Sequence, residues 1–230
     1  MKNIGIVVAV ENEFKSLTNL KEKPLKKYKK GPFLVYKYAF KDKFVYIALS
    51  SIGQANAASC TQYLITKYKV DFIFNFGSCG ALLPSLNLSD VVFVDKIIDY
   101  GFDTSLIDNC KEHAHIELGY KEPIMEVKNE FKNKIYSEFP NILKVTCSSS
   151  NLFIGDPTIK QNISQMYGAS ICEMESSAIF LTCIKNHVPC FFVKAVSDTV
   201  KGGADEYNKF VKDAADKALT ILEKILNTNL

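Results

Sequence analysis

Strand-length runs with no polar face constrain this chain most. Ile4–Val10 reads IGIVVAV, without a single polar side chain, and Val70–Phe76 reads VDFIFNF. A strand of that kind cannot leave one face in water, so it belongs inside a sheet covered by helices on both sides. Further β-rich runs recur at Phe33–Phe40, Lys43–Leu49, Asp90–Ile98 and Cys190–Val196. Phe33–Phe40 and Lys43–Leu49 flank the short polar link KDK, which predicts an antiparallel hairpin.

Helical patterns separate these runs. Asn56–Tyr68 sets Ala58, Tyr63, Leu64 and Ile65 among polar residues. In the last segment Tyr207, Phe210, Val211, Ala214, Ala215, Ala218, Leu219, Leu222, Ile225 and Leu226 repeat at helical spacing, predicting a long helix that closes the fold against the sheet. No repeat and no low-complexity linker interrupts the pattern. The expectation is one α/β domain over residues 1–230, a single-domain three-layer αβα sandwich around a mixed central β-sheet. A chain of 230 residues in this class buries roughly 70% of the surface its unfolded form exposes.

Charge narrows the partners. All 28 basic residues are lysine and arginine is absent, so no planar fork is available to grip phosphate or carboxylate through two parallel hydrogen bonds. A net charge of +3 argues for neither a nucleic acid nor an anionic membrane surface. Lys21–Lys30 (KEKPLKKYKK) reads as a solvated loop. Ile4–Val10 is too short to span a bilayer and leads into Glu11 and Glu13, not into a small-residue cleavage site. Seven cysteines, an odd number with no C-x-x-C, read as free thiols, most of them buried, in a reducing cytoplasm.

Three segments place polar groups where strands end. They are VENEF with Glu11 and Glu13, NFGSCGA with Ser78, and VSDT with Ser197 and Asp198. Ligands of open α/β sheets bind outside the carboxyl ends of strands, so the three ends define one pocket. Gly77-Ser78-Cys79-Gly80 fits either a tight strand-to-helix turn or a loop exposing backbone N–H groups. Asp198 fits either a cap or a buried carboxyl kept protonated to act as an acid. In ICEMESSA, Glu173 and Glu175 around Met174 fit either helix N-terminal acids or a sugar-diol site with an apolar floor. His113-Ala114-His115 lacks a third metal ligand and reads as a surface pair, and Gly155-Asp156-Pro157-Thr158 reads as a turn.

Taken together, IGIVVAVENEF, SSIGQANAA, FNFGSCGALL, SSNLFIGD, CEMESSAI and VKAVSDT resemble, in order and spacing, the nucleoside phosphorylase/nucleosidase superfamily, and within it the methylthioadenosine/S-adenosylhomocysteine nucleosidases. The resemblance covers nearly the whole chain. It implies a nucleoside phosphorylase-like fold, a homodimer, no metal and no cofactor. It also implies hydrolysis of the N-glycosidic bond of 5′-methylthioadenosine, S-adenosylhomocysteine and 5′-deoxyadenosine. By the same resemblance, Asp198 protonates the purine N7 with Ser197 holding its carboxyl, and Glu13 activates water. Glu175 binds the ribose hydroxyls beside Met174 and Glu173. Phe153 stacks on adenine, Ile154 bonds the base edge, Ser78 lies near sugar and water, and Ile52 and Tyr207 surround the 5′ substituent.

Two alternatives stay open: a purine nucleoside phosphorylase, and an aminodeoxyfutalosine nucleosidase. Related phosphorylases carry an arginine where Asn75 stands here, which favours water over phosphate as nucleophile. The chain departs from the nucleosidase pattern at Lys194, where an arginine is common; Lys194 is the expected water-positioning residue. It departs also at Val200 and at the cysteine of G-S-C-G.

Overall fold

The computed structural model describes residues 3–18 and 23–228. In chain order the elements are β1 (Asn3–Val8), α1 (Glu11–Thr18), β2 (Lys26–Tyr28), β3 (Leu34–Phe40), β4 (Lys43–Leu49), α2 (Gln54–Tyr68), β5 (Phe72–Ala81) and β6 (Val91–Asp99). Then come α3 (Ser105–Asp108), a 3-10 turn at Ile116–Leu118, β7 (Ile124–Glu126), α4 (Lys132–Glu138), β8 (Leu143–Ser149) and α5 (Pro157–Tyr167). The chain finishes with β9 (Ile171–Glu173), α6 (Ser176–Lys185), β10 (Cys190–Asp198) and α7 (Ala204–Asn227).

One mixed sheet of ten strands forms the middle layer. β5 is its hub. β10 runs parallel along one edge of β5 from Ile73 to Gly80. The other edge is shared: β1 lies parallel to Phe72–Asn75, and β9 lies antiparallel to Gly80–Ala81. Between them, around Gly77 and Ser78, that edge has no strand partner. β10, β6, β8 and β9 then lead back to β5, closing a five-strand ring within the mixed sheet. Closure pairs those strands along both sides except at the stretch of β5 around Gly77 and Ser78. β4, β3 and β2 extend outward from β1.

Helices cover both faces, as the unbroken apolar strands require. α2 and α6 bury Ala57, Cys60, Leu64, Ile179, Phe180 and Cys183 against Ile73, Val94 and Phe192. α1 and α7 bury Phe14, Leu17, Ala214, Ala215, Ala218 and Leu222 against Ile6, Phe74, Phe191 and Val193 on the opposite side. The alanines of α7 let a 24-residue helix lie close on β5 and β10. The hairpin is β3–β4, with Phe40 opposite Lys43 and Lys41 in the left-handed region at φ 54°.

Four expectations are corrected. G-S-C-G lies inside β5 and not beyond it, and neither Gly77 nor Gly80 has a positive φ. Gly155–Thr158 is a helix start: Asp156 caps α5, accepting from the N–H groups of Thr158 and Ile159, with Pro157 in the first turn. His113 and His115 are buried, not a surface pair. His113 is held between the Phe102 carbonyl and the Tyr167 hydroxyl, and His115 between Asp99 and Glu117. Within Lys21–Lys30, Lys26–Tyr28 form the edge strand β2 with their lysines exposed, while 21 and 22 lie outside the described residues. The seven cysteines are free, six of them buried. No helix among the described residues is long and apolar enough to cross a membrane.

Candidate active site

A cavity of about 290 Å³ opens where β1 stops and β5 and β10 run on beside each other. Of the positions expected from sequence, Glu13, Ile52, Ser78, Phe153, Glu173, Met174, Glu175, Lys194, Ser197, Asp198 and Tyr207 line it. Ile154 lines a smaller adjoining recess of about 30 Å³ that shares Phe153, Met174 and Asp198 with the main cavity.

Glu13 sits in the first turn of α1 and reaches back over the end of β1. Its Oε2 accepts from the N–H groups of Ala9 and Val10 at 3.2 and 3.3 Å. Its Oε1 accepts from Ser78 N–H at 2.9 Å and Ser78 Oγ at 3.0 Å, using the stretch of β5 left open between β1 and β9. A Cβ on Gly77 would come within 3.0 Å of Oε1. Glycine serves here through its size, not its freedom of φ.

Glu173 and Glu175 bracket the turn from β9 to α6 and have different fates. Glu173 accepts from Lys194 Nζ at 2.7 Å, from Ser176 Oγ at 2.9 Å and from the N–H groups of Glu175 and Ser176. Burial works against ionising Glu173, but the Lys194 charge and these hydrogen bonds hold its carboxyl below the usual range. Ser176 N–H also reaches Oε1 at 3.1 Å, so both oxygens of Glu173 are bonded within the protein, and its ion pair fixes the turn. Glu175 points into the cavity, accepting from Gly53 N–H at 2.9 Å. Burial, and then the neighbouring Glu173 charge, push its carboxyl up to about 7.

Asp198 ends β10, 2% exposed. Ser197 Oγ donates to its Oδ1 at 3.0 Å. Its Oδ2 lies 2.5 Å from Nζ of Lys160 on α5. Gly80 gives this carboxyl room, since a Cβ there would stand 2.8 Å from Oδ2. Lys160 was not legible in the sequence. It is one lysine among 28, in a helix of ordinary amphipathic pattern, and its partner lies 38 residues away.

Apolar and aromatic groups complete the walls. Phe153, 47% exposed, stands edge-on to Tyr207 at 5.6 Å between ring centroids, and Ile52 sits exposed at the mouth. Burial pushes the Tyr207 hydroxyl up to about 12, so it stays neutral. Asn75, on the cavity floor, donates its amide to the Val7 carbonyl at 3.0 Å. No group of three or more metal-ligating side chains occurs among the described residues.

Comparison with known proteins places the chain in a family. Residues 3–228 match the family model described as the phosphorylase superfamily. The chain is 32% identical to 5′-methylthioadenosine/S-adenosylhomocysteine nucleosidase of Staphylococcus aureus, over 97% of this chain and 99% of the relative. Its fold is that of a Helicobacter pylori protein of the same name, solved in complex with a substituted pyrrolidinol. That pair has a TM-score of 0.89 and 20% identity, covering 98% of each chain. A Helicobacter pylori structure described as futalosine hydrolase matches at the same TM-score and identity, over 98% of this chain and 97% of its own.

Proposed function

The chain belongs to the phosphorylase superfamily, and from that premise we propose that it hydrolyses the N-glycosidic bond of adenine nucleosides carrying a 5′ substituent. The observation that carries the reading is the convergence of Glu13, Glu175 and Asp198 on one cavity. Three acids with three different sets of partners suit three tasks. The substrates are 5′-methylthioadenosine, S-adenosylhomocysteine and 5′-deoxyadenosine, the first two named for the Staphylococcus aureus relative.

Adenine departs poorly as an anion, so Asp198 protonates N7 as the C–N bond stretches. The ribose gains oxocarbenium character, and the anions of Glu175 and Glu13 stabilise it in a site largely shielded from water. Glu175 engages the ribose hydroxyls, and Glu13, fixed by four donors, orients the attacking water against Ser78. Lys194 acts on that water through the Glu173 pair. Phe153, Met174 and Ile154 hold the base, while Ile52 and Tyr207 face the 5′ substituent. No metal or cofactor enters these steps.

Water is favoured over phosphate because the lysine that lines the cavity, among the described residues, is bonded to Glu173, and the Asn75 amide to Val7. The test is adenine release from 5′-methylthioadenosine in phosphate-free buffer, read beside S-adenosylhomocysteine, 5′-deoxyadenosine and aminodeoxyfutalosine. Strict dependence on phosphate would make the protein a phosphorylase. Preference for aminodeoxyfutalosine would move it toward the activity named for the second Helicobacter pylori structure. The reading includes a homodimer, supported by the exposure of Leu106 and Ile107 on α3 and tested by sedimentation. It also includes a cytoplasmic setting, which the free cysteines support.

A further inference from the structure

Lys160 takes no part in the chemistry above, yet it touches the residue on which leaving-group departure depends. Its side chain is fully buried, and Nζ stands 2.5 Å from Asp198 Oδ2 and 2.7 Å from the Thr199 carbonyl. A buried ion pair is weak evidence for stability, because well-packed apolar residues of similar volume often serve as well. The neighbouring buried residue on the same helix face, Ile163, shows that an apolar side chain is at home there. Lys160 therefore calls for a chemical explanation.

The hydrogen bonds supply it. Asp198 accepts from Ser197 on one oxygen and from the Lys160 ammonium on the other, so one N–H proton of Lys160 lies along the short line to Oδ2. Protonating a purine requires that proton on oxygen. The groups facing the pair from other elements do not offer one. Burial pushes the thiols of Cys79 on β5 and Cys172 on β9 up, so both stay protonated, and Tyr207 on α7 does likewise. Glu173 is tied to Lys194, and Glu206 on α7 accepts from Thr199 N–H and Oγ1.

We propose that Lys160 is a positioning residue that supplies Asp198 with the proton passed to the leaving base. As the glycosidic C–N bond breaks, its electron pair goes to the purine, the ammonium of Lys160 passes a proton to the Asp198 carboxylate, and the carboxyl so formed passes a proton to N7. Lys160 is left as a neutral amine that still donates to Thr199. The attacking water forms the new C–O bond and gives up a proton to Glu13; on product release Glu13 loses that proton to solvent and solvent returns one to Lys160. Water enters, and adenine and the sugar leave.

This inference rests on the hydrolase reading, so wild-type adenine release in phosphate-free buffer is measured first; its failure would sink that reading by itself. K160M and K160R are then compared on 5′-methylthioadenosine and on the 4-nitrophenyl glycoside of 5-methylthioribose, whose leaving group departs as an anion without protonation. The expected result is a kcat loss of about a hundredfold or more on the nucleoside with KM nearly unchanged, and less than about fivefold on the nitrophenyl glycoside. K160R keeps the charge but holds its proton, so it shares the loss on the nucleoside. Equal losses on both substrates, or K160R turning over the nucleoside like wild type, would overturn the proposal. Should K160M fail to fold, K160Q, which keeps a donor between the same acceptors, carries the comparison. On the nucleoside alone, K160R decides between proton supply and charge.

Discussion

Replacing Glu175 by glutamine should make the protein more stable and nearly inactive. The carboxyl is 7% exposed and titrates at about 7 in the folded chain, against an ordinary 4.5, because burial and then the Glu173 charge disfavour its anion. An acid raised on folding binds its proton more tightly folded than unfolded. Its contribution is therefore fully present below about pH 4.5 and is lost as pH rises through about 7. At about 1.4 kcal/mol per pH unit, that interval amounts to about 3 kcal/mol lost by about pH 8. Glutamine carries no charge to bury, and its carbonyl can keep the Gly53 N–H bond of 2.9 Å. E175Q should therefore unfold about 6–12 °C higher than wild type near pH 8, with the gap closing near pH 5. Thermal and urea unfolding across that range measure it, and turnover should fall by about a hundredfold as the anion facing the sugar is lost. The reasoning is refuted if E175Q is no more stable than wild type near pH 8, or if the gap is the same at both ends of the range. A confirmed gap would mean that stability is forgone at this position to keep a charge where the reaction needs one.

Other substitutions address the remaining parts of the site. K194M strips the buried Glu173 of its cation and should cost about 3–5 kcal/mol by urea unfolding; a change under about 1 kcal/mol would show that the pair does not hold the turn. S197A removes the 3.0 Å bond to Asp198 and should lower kcat about tenfold at unchanged fold, read by steady-state kinetics beside circular dichroism. F153A, at a half-exposed wall of the cavity, should raise KM about tenfold with kcat within about threefold; a kcat loss instead would place Phe153 in the bond-breaking step.

Much of this was written locally. The unbroken apolar runs became β1, β5 and β10, the KDK link became the β3–β4 hairpin, and the periodic last segment became α7. Eleven of the twelve expected site positions meet in one cavity, and Ile154 lies in its adjoining recess. Their meeting in the cavity follows because most sit in short motifs near a strand end, or in a loop or helix beside one, while Ser78 and Lys194 lie within β5 and β10. The short strands β2, β7 and β9 were not legible, since three residues carry no periodicity, and β8 mixes lysine, threonine and serine into its pattern.

Local pattern determined that this chain builds helices over a buried mixed sheet, and which acids stand at strand ends. Tertiary structure decided which partners each acid meets. Glu173 is neutralised by Lys194, Glu175 is left facing the cavity, Glu13 is held by the open edge of β5, and Asp198 is joined to Lys160. Hydrophobic periodicity follows from neighbours three or four residues away, which any reading of the chain contains. The charge state of a buried carboxyl depends on what stands within a few ångströms of it, and those partners arrive from elements dozens of residues distant.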